Sequence, residues 1–297
     1  MSQHLSEELI TSSENKWLKI FRAALRGTGP AEGEPIGVEG PKLVEDALRS
    51  GLQAEALLVS ESGEASDLER ILRAAGESEA GIPRSRVMRT TDKLFASVAG
   101  TETPQGVAAL FVQPSWSSDD VVRGAAAGDG SLPGDAALVV VLAAVQDPGN
   151  VGTIVRSAEA FGATGVVTTR GSADPWSPKA LRASAGSGLR FPLLRGMAIP
   201  VLLAQLRVAR VKIVAASSHP AAATGSTANV AADLREPVAI FIGNEGAGLP
   251  REVEHAADAR ISIPMSASVE SLNAGVAASV VLYEAARQRK GFTTDEH

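Results

Sequence analysis

Three times between residues 137 and 273 an apolar run stops, small polar residues follow, and a helical pattern begins. Ala137 to Val145 leads into Asp147-Pro148-Gly149-Asn150 and then Val151 to Phe161. Val238 to Ile242 leads into Gly243-Asn244-Glu245-Gly246-Ala247-Gly248-Leu249. Ala259 to Ile263 leads through Pro264 to Ser271-Leu272-Asn273 and a last helix reaching about Gln288. The first run, Ala137 to Val145, apolar on both faces, suits a buried parallel strand. A strand that opens onto a helix start presents free backbone N–H groups beside small side chains, and α/β proteins build ligand sites there. Three such junctions predict a doubly wound, mostly parallel α/β domain with one composite site.

Composition narrows the chemistry. The 297 residues contain no cysteine, which excludes disulfides, thiolate nucleophiles and Cys-ligated zinc. His4, His219, His255 and His297 are scattered without metal-ligand spacing, so no metal is expected. No signal-like or membrane-spanning apolar run occurs, and the expectation is a cytoplasmic protein without a membrane partner. A formal net charge of -6 argues against nucleic acid, but the distribution does not. Lys179 to Lys212 holds seven bases and no acid, and smaller clusters lie at Lys16, Lys19, Arg22, Arg26 and at Arg84, Arg86, Arg89, Lys93.

The first hundred residues read as a smaller α/β domain. Asn15 to Leu25 is an amphipathic helix, with further helices at Pro41 to Arg49 and Asp67 to Ala75, a short one N-capped by Asp92, and strands at 56–59, 86–88 and 106–112. The expected organisation is a domain over 1–113, a linker over 114–135 rich in Ser, Asp, Gly and Ala, and a second domain over 136–297.

Candidate site residues come from the junctions. Asn150 can be an ordinary helix N-cap, but with Arg156 on the same helix an amide and a guanidinium can grip a phosphate and an adjacent hydroxyl. Glu245 is either a solvated acid in a glycine turn or a carboxylate that accepts from a ligand or orients Arg156. Ser271 reads as the N-cap of the last helix. Asn273, one turn in, is a mediocre helix former with better uses elsewhere. The G-x-G-x-x-G spacing of dinucleotide-binding domains is absent, which disfavours a nicotinamide dehydrogenase.

Together these stretches resemble the SpoU–TrmH family of RNA ribose 2′-O-methyltransferases. Asn150-x-Gly152-x3-Arg156-x-Ala158, with Phe161-Gly162 beyond it, is similar to the family's first motif. Gly243 to Leu249 is similar to its second, and Ile263-Pro264-Met265 through Ser271-Leu272-Asn273, with Leu282-Tyr283-Glu284, to its third. Asp174-Pro175 through Pro178-Lys179, Arg182, Ser184 and Gly186 resembles the segment that follows motif one. Glu39-Gly40, Leu43 to Leu48 and Gln105 to Ala109 resemble the small RNA-binding domain of ribosomal-RNA members. Ala267 departs from the usual glycine, and Ala274-Gly275 from the usual Val-Ser.

The resemblance implies a C-terminal trefoil-knotted methyltransferase (SPOUT) domain behind a small α/β RNA-binding domain. It implies S-adenosylmethionine held by the backbones of Gly243, Ile263 and Leu272, and transfer of its methyl group to a ribose 2′-hydroxyl, most simply in 23S ribosomal RNA. By position Arg156 would be the base, or would pair with phosphate and stabilise the alkoxide, with Asn150, Glu245, Ser271 and Asn273 positioning it and the ribose. A homodimer through the knot helices is implied too. The stripe Val276, Val280, Tyr283 fits such an interface and also fits plain core packing. The main rival from another class is a non-enzymatic RNA-binding protein of the same fold, against which the full set of candidate polar residues argues.

Overall fold

The computed structural model describes residues 8–77, 86–123, 137–217, 232–266 and 271–290, in two compact units. Ala267, where the sequence departs from the expected glycine, lies outside the described residues.

The first unit spans residues up to Ser115 together with Trp176–Arg190. Its elements are β1 (Glu8–Ile10), α1 (Lys16–Arg26), β2 (Ile36–Glu39), α2 (Pro41–Arg49), β3 (Ala54–Ser60), α3 (Ala65–Glu77), β4 (Val87–Thr90), α4 (Asp92–Val98) and β5 (Val107–Phe111). The sheet runs β1-β4-β3-β5-β2, with β1, β4 and β3 parallel and β5 antiparallel to both β3 and β2. Leu18, Phe21 and Leu25, at helical spacing on α1, are buried against Leu58, Met88, Phe95 and Leu110. That contact is why the amphipathic pattern becomes a helix here: the apolar stripe has a sheet to cover. Glu45 on α2 is buried between two guanidiniums, Arg49 Nε at 3.0 Å and Arg70 Nε at 2.6 Å, which ties α2 to α3.

Part of the basic cluster on α1 is structural. Arg26 donates to the carbonyls of Ala99 (2.8 Å) and Ala96 (3.2 Å), and Arg22 to that of Ser97 (3.4 Å), satisfying the last carbonyls of α4. The N-cap of α4 is Thr91, which accepts from Leu94 N, rather than Asp92. Asp92 instead accepts from the Ser62 amide and hydroxyl across the unit.

The second unit comprises Trp116–Pro175 and the residues from Phe191 onward. It contains α5 (Ser118–Arg123), β6 (Leu138–Ala143), α6 (Pro148–Ala160), β7 (Gly165–Thr169), β8 (Leu193–Met197), α9 (Ile199–Val208), β9 (Lys212–Ala216), β10 (Val238–Gly243), α10 (Arg251–Ala256), β11 (Ala259–Ile261) and α11 (Ala274–Lys290). Between β7 and β8 the chain forms α7 (Pro178–Ser184) and α8 (Ser187–Arg190), which belong to the first unit. Six parallel strands run β11-β9-β10-β6-β7-β8. Chain order reverses direction between β6 and β10, so this sheet has its topological switch point where the first and second junctions emerge. Val139, Val141, Val167, Ala239 and Phe241 pack with α5, α9 and α10, and α11 lies along α6 and β10.

Two expected boundaries need correction. The stretch 114–135 is not only a linker, because α5 packs into the second unit. Val121 is buried there, and a Cβ on Gly165 would come within 2.8 Å of it. Residues 124–136 lie outside the description. Trp176–Arg190, expected within the second domain, clusters with the first, where α7 buries Pro178, Ala180 and Leu181. The turn from α7 to α8 is fixed by Ala185 and Gly186 at positive φ and by Trp176 Nε1 donating to Gly188 O at 2.8 Å.

The acid-free run is likewise only partly free charge. Arg195 pairs with Asp174 at 2.7 Å, and Lys212 pairs with Glu236. Arg207 Nη1 reaches both oxygens of Asp258 (2.7 and 3.0 Å), and the same carboxylate accepts the Ile213 amide at 2.8 Å. Burial pushes the Asp258 carboxyl up, but the Ile213 amide and the Arg207 guanidinium outweigh it and hold it below its ordinary value. A carboxyl depressed in the folded state stabilises above its unfolded pKa, and that contribution disappears as pH falls through the folded value. Asp258→Asn should therefore lower thermal stability at neutral pH by about 1 kcal/mol, and the gap to wild type should close below about pH 4. A gap unchanged in acid would show that the lost contribution was packing rather than charge.

Candidate active site

The three junctions converge at the C-terminal ends of β6, β10 and β11, the last an edge strand. Pro148 occupies the first turn of α6 and Asp147 is its N-cap, accepting from Asn150 N at 3.0 Å. Asp directly before a helix-starting Pro is a recognisable cap signature. It displaces Asn150 from the capping role and frees the Asn150 side chain. Asn273 takes the corresponding role on α11. Its Oδ1 accepts from Gly275 N (2.9 Å) and Val276 N (3.2 Å), so Asn273, not Ser271, caps the last helix.

The freed groups join into one chain. Asn273 Nδ2 donates to Asn150 Oδ1 at 2.9 Å, and Asn150 Nδ2 donates to a carboxylate oxygen of Glu245. Both ends fix the direction. An ionised carboxylate only accepts and the backbone amides at the start of α11 only donate, so each asparagine has one possible orientation. The partial positive charge at the α11 N-terminus is thus passed through two amides to Glu245. Gly275 lets α11 approach closely, since a Cβ there would meet Asn273 Oδ1 and Thr153 Cγ2, both at 3.2 Å.

Asn244 locks the loop that carries Glu245. Its Oδ1 accepts from Gly246 N (2.9 Å) and Ala247 N (3.0 Å), its Nδ2 donates to Ala144 O (3.2 Å), and its backbone bridges to Gly248. Ala144 holds a left-handed backbone, φ +58°, in which its N–H donates to Thr169 Oγ1 at 3.1 Å. Neither Asn244 nor Ala144 was marked as a site residue from sequence. An asparagine between glycines after a strand is an Asx-turn signal that could have found the first. Nothing in the sequence marks a strained alanine.

Beside this chain lies a cavity of about 210 Å3 lined by the ends of β9, β10 and β11 and by residues preceding and within α11. Gly243, Ile263, Ser271 and Leu272 all line it, and Glu245 stands at its polar side. Ile242, Leu249, Ile261 and Val281 supply apolar walls. Glycine is required at 243, where a Cβ would sit 2.5–2.8 Å from the backbone of Gly248 and Leu249. The cavity is therefore walled closely by backbone, as recognition through main-chain groups needs. Arg156 is outside the lining. It is exposed on α6, and no residue among those described pairs with it. In particular Glu245 bonds Asn150 rather than Arg156.

Val276, Val280 and Tyr283 are 50%, 43% and 57% exposed, so this stripe of α11 is not core. The Phe161 ring at the end of α6 meets the Tyr283 ring edge-on at 6.0 Å. Among the described residues no cluster of His, Asp or Glu is arranged for a metal, and no helix is long and apolar enough to cross a membrane.

The family model described as SpoU rRNA Methylase family matches residues 137–283, and the MRM3-like substrate binding domain matches residues 33–109. A Bacillus subtilis protein named 23S rRNA (guanosine(2553)-2'-O)-methyltransferase RlmP is 32% identical over 275 residues, covering 92% of this chain and 97% of its own. A Mycolicibacterium paratuberculosis protein named uncharacterized tRNA/rRNA methyltransferase is 37% identical over 260 residues, covering 86% of this chain and 78% of its own. Among solved structures, the SpoU methyltransferase AviRb from Streptomyces viridochromogenes in complex with AdoMet superposes with a TM-score of 0.75 at 26% identity, over 93% of this chain and 99% of that one. The AdoMet-bound rRNA methyltransferase from Sinorhizobium meliloti gives 0.74 at 29%, over 97% and 99%. With matched family models over both halves and relatives aligned nearly end to end, the chain belongs to the SpoU rRNA methylase family.

Proposed function

We propose that the protein transfers the methyl group of S-adenosylmethionine to a ribose 2′-hydroxyl of ribosomal RNA, in the 23S molecule. The observation that carries this reading is the meeting of the three junctions: the cavity lined by Gly243, Ile263 and Leu272 adjoins the Glu245–Asn150–Asn273 chain. The cavity fits the donor, since backbone amides and carbonyls beside Gly243, Ile263 and Leu272 suit an adenosyl group between apolar walls. When bound, the donor supplies an electrophilic methyl on a sulfonium.

The chain's own residues do the rest. The 2′-hydroxyl must approach in line with the methyl, and fixing that approach supplies much of the acceleration, about 7–11 kcal/mol in well-oriented systems. Asn150, Ser271 and Asn273 hold the ribose, and Glu245 holds Asn150. Arg156, without a partner among the described residues, pairs with the neighbouring phosphate and stabilises the forming alkoxide. Its guanidinium stays protonated, so it acts by charge rather than by removing a proton.

The family reading extends to a trefoil knot in the second unit, to a cytoplasmic location and to a homodimer. The exposed stripe Val276, Val280, Tyr283 supports the last, because apolar side chains aligned on one helix face suit a two-fold partner. Mapping ribose 2′-O-methyl groups in ribosomal RNA from cells with and without the gene tests the activity. One 23S position is expected to lose its methyl group without the gene. Identical maps, with no transfer to ribosomal RNA by the purified protein, would overturn the reading.

A further inference from the structure

The N-terminal end of α1 gathers two exposed cations around an aromatic ring. Trp17, Phe21 and Leu25 share one stripe. Phe21 and Leu25 are fully buried, whereas Trp17, at the end of the stripe, is only partly buried against the same core. Its backbone is fixed by the cap, with Trp17 N donating to Asn15 Oδ1 at 2.8 Å. Two cations flank the indole: Lys16 Nζ lies 5.8 Å and Arg86 Cζ 5.5 Å from the ring centroid. Arg86 lies immediately before β4, and from there its guanidinium reaches the indole.

Neither cation pairs with a carboxylate among the described residues, and Arg86 bonds only the Glu55 carbonyl, at 3.3 Å. The neighbouring bases differ. Lys19 pairs with Glu14, and Arg22 and Arg26 satisfy α4 carbonyls. Two like charges beside one ring repel each other, and a cation–π contact at an exposed site returns only about 0.5–1 kcal/mol. In a chain of net charge -6 such an uncompensated spot calls for an anion. An aromatic face between two cations matches an unpaired base with its flanking phosphates. A duplex does not match, because its bases are already stacked.

We propose that Lys16, Trp17 and Arg86 form a contact for single-stranded RNA on the first unit, a base stacking on the indole and phosphates meeting the two cations. This rests on the reading of the protein as an RNA-modifying enzyme and names one place where the RNA is held.

The test uses the full chain with a fluorescein-labelled single-stranded RNA of mixed sequence and a duplex of the same length. Trp17→Leu should weaken single-strand binding about tenfold and change duplex binding little. The double variant Lys16→Ser, Arg86→Ser should reduce the salt slope of single-strand binding by about 1.4, the value for two lost phosphate contacts. S-adenosylmethionine affinity and melting temperature serve as controls, and the double variant, which removes only exposed side chains, stays informative if Trp17→Leu melts early. Wild-type binding with unchanged affinity and slope in the double variant would overturn this contact and leave the enzyme reading intact. Absence of RNA binding by the wild type would overturn both.

Discussion

Arg156→Ala is expected to lower methyl transfer about a hundred- to a thousandfold while S-adenosylmethionine affinity and thermal stability stay near wild type. Placement gives both halves of this expectation. Arg156 is exposed on α6 and has no partner among the described residues, so its removal orphans no buried carboxylate. A surface change of that kind costs within about 0.5 kcal/mol. It also lies outside the lining of the cavity, so donor affinity has no reason to move. What it loses, on the proposed mechanism, is a positive charge beside a developing alkoxide. Arg156→Lys separates charge from geometry. Lysine keeps the charge but lacks the planar fork that meets phosphate at two points, and it should recover little activity if orientation matters. Turnover near wild type in Arg156→Ala, at saturating donor and RNA, would reduce Arg156 to a solvated helix residue.

The sheet of the second unit was legible because buried parallel strands announce themselves as apolar runs, and β6, β7, β9 and β10 all do. β8 was not legible. At the sheet edge it can carry Arg195 and Gly196, and its sequence does not look like a strand. β1, a three-residue strand at the edge of the other sheet, was not legible either. Three helix caps fell to residues other than the ones the sequence suggested. Asp92, Asn150 and Ser271 were each a plausible polar residue near a helix start, and each time a neighbour took the role: Thr91, Asp147 and Asn273. Local sequence offers several candidates within one turn, and tertiary demand for the others decides. Asn150 is wanted by Glu245 and Asp92 by Ser62. The candidate site residues were named by motif, but the chain joining Glu245 to the start of α11 spans more than a hundred residues of sequence, and no local pattern encodes it. Trp176–Arg190 joined the first unit for a comparable reason, since an apolar helix face does not name the surface it will cover.

Substitutions at Asn150 should show what that chain does. Asn150→Ala removes the donor to Glu245 and the acceptor for Asn273 together. A misplacement on the order of 1 Å at a reacting centre costs about a hundredfold, and a loss of that size is expected. Donor affinity should change little, because Asn150 does not line the cavity. Asn150→Asp is the sharper variant. It keeps the shape and can still accept from Asn273, but it sets a second carboxylate against Glu245. Two carboxylates in contact cannot both ionise cheaply, so one of the pair titrates at raised pH. Above that value repulsion drives Glu245 from its place. Below it the shared proton restores an O–H···O bond where the amide had donated. The ratio of Asn150→Asp to wild-type turnover should therefore climb as pH falls through the weakly acidic range, while the Asn150→Ala ratio stays flat. Parallel pH profiles for the two variants would show that the contact with Glu245 does not position the reacting groups, leaving Asn150 to act on the RNA alone.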